Sequence, residues 1–114
     1  MRIIVCGGRY YDDDSRVQNV LNEYTADWFE RGLVVVHGAA RGADTLAAEA
    51  AKRLGYKAEE HPADWNLGRR AGPIRNQAMV AAGADLLIAF NGARGTADCV
   101  KRAERAGIPV RRVR

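Results

Sequence analysis

The chain has 114 residues, 47% hydrophobic and 28% charged, a globular composition that excludes a disordered polymer and suits one domain spanning residues 1–114 rather than two. No apolar run approaches the ~18 to 20 residues that cross a bilayer, and no signal-peptide pattern precedes the first strand, so a cytoplasmic protein without membrane contact is expected. The two cysteines, Cys6 and Cys99, stand far apart without metal-ligand spacing, which agrees with a reducing compartment. The net charge of +4 is carried almost wholly by arginine. Composition bias in an alanine-rich chain would explain that, and so would anionic ligands, since the guanidinium fork matches phosphate oxygens.

Strand and helix signals alternate from the start. The apolar run Arg2–Cys6 ends at Gly7-Gly8, and Asp12, Asp13, Asp14 and Ser15 then introduce a helical stretch. Three aspartates could hold a divalent cation, but acidic residues and serine before a helix predict capping, and no metal is expected. Val17, Val20, Leu21, Tyr24, Trp28 and Phe29 recur at spacings of three and four on one helical face. Leu33–His37 is a second strand. The next helix carries Leu46, Ala47, Ala50, Ala51 and Leu54, and Gly55 closes it. Tyr56–His61 alternates as an edge strand does. Pro62–Gly72 is long, polar and irregular, contains Trp65, and is a candidate binding loop. A helix from Ile74 to Ala82 stops at Gly83, strand Asp85–Phe90 follows, a helix from Thr96 to Ala106 stops at Gly107, and Pro109–Val113 forms the last edge.

This alternation with short links predicts an α/β fold: a Rossmann-like, doubly wound, parallel five-stranded sheet with helices on both faces. The favoured order is 3-2-1-4-5. Ligands of such sheets bind beyond the strands' carboxyl ends, where the order reverses. Here that point lies between the first and fourth strands, at Gly7-Gly8-Arg9 and Asn91–Thr96.

Two strand-to-helix turns look alike. "HGAARGAD" (His37–Asp44) and "NGARGTAD" (Asn91–Asp98) each place glycine, then Arg-Gly, a small residue and an aspartate where a helix begins. Glycines let backbone approach a ligand, and unpaired first-turn N–H groups with the helix dipole favour an anion. Gly38, Arg41 and Gly42 of the first turn and Gly92, Arg94, Gly95 and Thr96 of the second are therefore candidate phosphate or ribose contacts. Small residues that let strand and helix pack would give the same pattern, with aspartate merely complementing the dipole. Neither turn is a G-x-G-x-x-G or a Walker A sequence. "AGPIRNQAMV" (Ala71–Val80) would place Arg75 and Asn76 in the first turn of the third helix, on the same rim, where a cation opposes the dipole unless it meets an anion. Tyr10, Tyr11 and Trp65 could stack on a base, although loop aromatics more often pack. His37 and His61 end two strands and are expected to be hydrogen-bonded rim residues, since no cluster has zinc spacing.

In combination, "VCGGRYYDD", "HGAARGADTLAAEAAKRLG", "HPADW", "GPIRNQAMV" and "FNGARGTADCVKRAERAGIPV" resemble the SLOG superfamily, most closely its YspA/cpYpsA-related branch. That superfamily also holds the Lonely-guy phosphoribohydrolases, which cut the N-glycosidic bond of cytokinin ribotides, and the DNA-processing protein A group. The resemblance implies a Rossmann-like fold, a nucleotide-derived ligand at the glycine-rich loops and self-association into a homodimer or higher homo-oligomer. It sets Gly92, Gly95 and Thr96 on the phosphate-cradling part of the Lonely-guy motif P-G-G-x-G-T-x-x-E, and Arg75 on the arginine of the preceding helix motif. Asn91 replaces the proline, Ala93 the second glycine, and Cys99 the catalytic glutamate. Glycoside cleavage needs a carboxyl group near the ribose. Asp98 is one residue off, about 100° round the helix, and Asp44 or Asp64 could serve from another loop.

Three functions follow as expectations. The first is a sensor or sequestering module, without a cofactor, for a nucleotide or a molecule derived from NAD or ADP-ribose. The second is a hydrolase of a nucleotide N-glycoside or phosphoester, using Asp44, Asp64 or Asp98. Single-stranded nucleic-acid binding ranks last, because the arginines scatter and acidic residues accompany them.

Overall fold

The computed structural model describes residues 1–25 and 32–114. Strands β1 (Arg2–Cys6), β2 (Val34–His37), β3 (Lys57–Glu60), β4 (Leu86–Phe90) and β5 (Val110–Val113) form one sheet. Their order is β3-β2-β1-β4-β5 and each neighbouring pair is parallel, so the expected topology is the one the chain adopts. The connecting helices are α1 (Asp14–Asn22), α2 (Ala43–Leu54), α3 (Ala71–Ala81) and α4 (Arg94–Arg105). Trp28 and Phe29, expected on the first helical face, lie outside the described residues. Among the described residues, no helix is long and apolar enough to cross a membrane.

β1 is apolar throughout because it is covered on both faces, as a central parallel strand must be. Alternate side chains then serve two cores. Ile3 and Val5 join Val35, Ile88 and Phe90 beneath Val17 and Leu21 of α1 and Ala47 and Ala51 of α2. Ile4 and Cys6 join Val36, Leu87 and Ala89 beneath Met79 and Val80 of α3 and Cys99, Val100 and Ala103 of α4. The alanines matter on α2, where small side chains let the helix sit close to the sheet.

The segment expected to be irregular is partly helical. Trp65–Arg70 forms a 3₁₀ helix, capped by the Asp64 carboxylate, which accepts from the Asn66 N–H at 3.1 Å. It is kinked at Gly68 (φ 70°) and runs into α3, which therefore starts at Ala71 rather than Ile74. Pro73 is tolerated there because first-turn N–H groups have no helical acceptor. Arg75 and Asn76 consequently sit in the second turn, and the expected conflict of Arg75 with the helix dipole does not arise.

At the carboxyl ends of β1 and β4 two loops are pressed together. The Gly8 N–H donates to the Asn91 carbonyl at 2.8 Å. A Cβ on Gly7 would sit 2.5 Å from Ala43 Cβ, and one on Gly8 would sit 2.7 Å from the Asn91 oxygen. One on Gly92 would overlap the Thr96 hydroxyl. Gly42, which opens α2, has φ 74° and ψ −126°, a conformation essentially reserved for glycine, and a Cβ there would overlap the Gly8 carbonyl.

An ion pair braces the opposite flank of the sheet. The Arg2 guanidinium grips Glu59 with two bonds, at 3.1 and 2.6 Å, and donates through Nε to the Gly83 carbonyl at 2.9 Å. His61 Nε2 lies 2.9 Å from the same carboxylate. The Arg2 hydrogen bonds, with help from His61, hold the Glu59 carboxyl down at about 2, against an ordinary value of 4.5.

Two outcomes follow. Gly42→Ala, which must both adopt a disfavoured φ and displace the Gly8 backbone, should cost about 2 to 3 kcal/mol, read as a lower urea midpoint with unchanged slope. Glu59→Gln should cost at most about 1 kcal/mol at pH 7, because the pair is partly solvated. The Glu59 contribution is fully present above pH 4.5 and fades as pH falls towards 2, so urea melts of wild type and variant should converge across that window.

Candidate functional site

Where β1 and β4 diverge into α1 and α4, a cleft of ≈ 1170 Å³ opens, at the switch point of the strand order. Gly7 to Asp12 line it from β1, and Asn91 to Thr96 from β4. Buried Cys6, Asp44, Asn76 and Met79 form its inner surface, and exposed Trp65 and Arg69 its outer one.

The beginning of α4 gives the cleft its polarity. α1 is capped by Asp13, whose carboxylate accepts from the Arg16 N–H at 3.0 Å. α4 has Ala93 at the same position and no side-chain cap. Its first backbone bond is from Ala97 N–H to Ala93 O, so the N–H groups of Arg94, Gly95 and Thr96 have no protein acceptor among the described residues. These unpaired donors and the positive end of the helix dipole face the cleft. α2 also lacks a side-chain cap, but its Ala43 N–H donates to Gly8 O at 3.2 Å. The two similar turns are therefore not equivalent.

A polar chain ties the inner surface together. Arg75 donates through Nη1 to Gly38 O at 2.7 Å and through Nε to Asn76 Oδ1 at 2.8 Å. Asn76 donates in turn to Gly95 O (3.3 Å) and Asp98 Oδ2 (3.0 Å), and Arg102 Nε meets the same Asp98 oxygen at 2.9 Å. Three elements, the β2–α2 turn, α3 and α4, are locked in register by these bonds. Burial works to raise the Asp98 pKa, but its bonds from Arg102 and Asn76 outweigh that and hold it below the usual carboxylate range.

Asp44 is different. Only 6% exposed, it accepts from the Gly38 and Ala40 N–H groups at 3.0 and 3.3 Å, both on Oδ2. Burial pushes its pKa up, against the opposing pull of those bonds and of Arg75. The same turn holds Ala39 at φ 57°, with its N–H donating to His37 Nδ1 at 3.0 Å. Burial lowers the His37 pKa, so its ring is neutral at pH 7.

Of the residues expected at the site, Gly7, Gly8, Arg9, Arg75, Asn76, Gly92, Arg94, Gly95 and Thr96 line the cleft, together with Asp44 and Asp98. Gly38, Arg41, Gly42 and Asp64 do not. Gly38 receives Arg75, Gly42 packs on the Gly8 backbone, Arg41 is solvent-exposed, and Asp64 caps the 3₁₀ helix. Cys99 is fully buried in the α4 core and cannot supply a reacting group. Cys6 reaches the cleft, but its Cys99 neighbour and burial push that thiol well above the ordinary range.

Arg69 and Met79 were missed by sequence reasoning; Arg69 lies in the polar segment that was itself singled out. Its neighbour Trp65 stacks under the Arg9 guanidinium, 5.7 Å from the ring centre, while Tyr11 packs on Phe90 with ring centres 5.1 Å apart. Asp13 and Asp14 are committed to capping and to Arg53, leaving Asp12 as the member of the acidic run that lines the cleft.

Known proteins resemble this chain in sequence and in fold. The sequence pattern of the YspA, cpYpsA-related SLOG family, abbreviated YAcAr, matches residues 1–68. The Gene 61 protein of Mycobacterium phage D29 is 43% identical over 120 aligned positions, covering 96% of this chain and 93% of the phage protein. Among solved structures, DNA processing protein A (DprA) from Streptococcus pneumoniae superposes with a TM-score of 0.76 at 21% identity, over 99% of this chain and 50% of its own. A protein designated TM1055 superposes at 0.71 and 19% identity, over 96% of this chain and 71% of its own. At such identities the two superpositions establish a shared fold. The sequence match is stronger, and with it this chain belongs to the YspA, cpYpsA-related SLOG family.

Proposed function

We propose that the cleft binds a nucleotide, or a small molecule derived from NAD or ADP-ribose, with its phosphate at the start of α4, and that the protein acts as a sensor or sequestering module for it. One observation carries this reading: the uncapped α4 terminus, with three unpaired N–H groups and Arg94 beside it, opens into the cleft rather than onto bulk surface. Arg9 and Arg69 add charge at the outer rim. Trp65, 57% exposed, offers a flat apolar face there.

A hydrolase is the second reading, and it rests on Asp44. A buried carboxyl group with a raised pKa, facing a cleft, is the kind of group that moves protons in catalysis. The other two candidates are less suited, since Asp98 is held ionised between Arg102 and Asn76 and Asp64 lies outside the cleft. Strand binding comes third. The cleft arginines alternate with Asp12, Asp44 and Asp98 rather than forming a continuous basic groove.

Calorimetry against mono-, di- and cyclic nucleotides and ADP-ribose should show saturable binding of at least one. Arg94→Ala should weaken it about tenfold, the worth of one charge-assisted hydrogen bond, with little change in melting temperature because the side chain is exposed. Absence of saturable binding across the panel would falsify the proposal. Incubation with the same panel should release no free base or sugar phosphate. Turnover that Asp44→Ala abolishes would transfer the weight to the hydrolase.

A further inference from the structure

We infer that Asp44 reads a sugar hydroxyl of the bound molecule, so that the cleft selects ribonucleotides over their deoxy counterparts. The inference rests on the nucleotide reading above and specifies which part of the ligand meets which part of the cleft.

A carboxylate can accept about four hydrogen bonds. In Asp44, a residue 6% exposed, two are made, both on Oδ2, and Oδ1 accepts from no donor among the described residues. Arg75 Nη1 is engaged by Gly38 O, and Asn76 Nδ2 by Gly95 O and Asp98, rather than by Asp44. Asp44 lines the cleft, so an occupant with a hydroxyl can supply a donor to Oδ1.

The charge pattern says which occupant group that is. A phosphate beside Asp44 would set two anions together, whereas the unpaired N–H groups of α4 attract it. β1 alone separates the strands leading into α2 and α4, so the two helix ends are close neighbours along the rim. In a 5′-nucleotide the sugar is joined to the phosphate through one methylene, and its hydroxyls are the first donors encountered away from the phosphate. With phosphate at α4 and hydroxyl at Asp44, the base extends towards Trp65 and Tyr10, which is 90% exposed.

The test compares AMP, GMP, CMP and UMP by calorimetry, then the 2′-deoxy and 3′-deoxy forms of the best binder, on wild type and on Asp44→Asn. The amide oxygen of Asn can still accept from Gly38 and Ala40, so the turn is preserved while the charge is removed. Wild type should lose about tenfold in affinity when one hydroxyl is missing, and the variant should lose at least threefold of that discrimination. In wild type, the carboxyl-carbon NMR signal of Asp44 should move with the ribonucleotide and stay put with the deoxy form, a readout that needs no folded variant. A wild-type ratio below threefold, or full discrimination retained by Asp44→Asn, overturns this inference alone. Binding of none of these four nucleotides also overturns this inference, whereas the proposed function falls only if the wider panel with ADP-ribose fails to bind as well.

Discussion

Two backbone loops lie in van der Waals contact at the carboxyl ends of β1 and β4, joined by the Gly8–Asn91 hydrogen bond, and no side chain fits between them. The cleft geometry depends on that approach. It draws the start of α4 against the β1 loop, and Gly92 leaves no side chain over Thr96. It also spaces the two loops so that a cavity opens beyond them rather than a solid packed edge. A single methyl at Gly7, Gly8 or Gly92 would force the loops apart, because the atoms it would meet are backbone or short side chains that cannot swing away.

The electrostatics of the cleft follow from how its helix ends are used. Each helix begins with N–H groups that its own turns cannot satisfy. α1 answers with Asp13 and α2 in part with the Gly8 carbonyl, while α4 leaves them open. Asp44 places a buried carboxyl at the α2 side of the same cleft. One end therefore favours an anion and the other a hydrogen-bond donor. The Arg75–Asn76–Asp98–Arg102 chain holds these ends at fixed separation, so Arg75 and Asp98 contribute to positioning even though they were first recognised as chemically suggestive residues.

Family membership sharpens the contrast with the Lonely-guy enzymes. The motif resemblance sets their catalytic glutamate against Cys99, which is buried against the sheet here. The carboxyl group one residue earlier, Asp98, does reach the cleft, but as an ionised partner of Arg102. An available carboxyl comes instead from a different helix, as Asp44.

The sequence by itself determined the strands, their order and the ends of most helices, because burial on both faces demands apolar runs and glycine after a last turn has a strong local cause. It also located Gly7-Gly8, Gly92–Thr96, Arg75 and Asn76, since a doubly wound sheet brings those loops to one place whatever the side chains are. Two things were decided only by tertiary structure. "HGAARGAD" and "NGARGTAD" read alike, yet one helix end is partly covered by Gly8 and the other is open; the difference lies in which loop crosses above them, a long-range contact with no local signature. Arg41, Arg75 and Arg94 likewise read as three similar cations, and only packing turned Arg75 inward, left Arg94 at the cleft and kept Arg41 in solvent. Local pattern reports what a segment becomes, whereas the partner of a given N–H or guanidinium depends on residues tens of positions away.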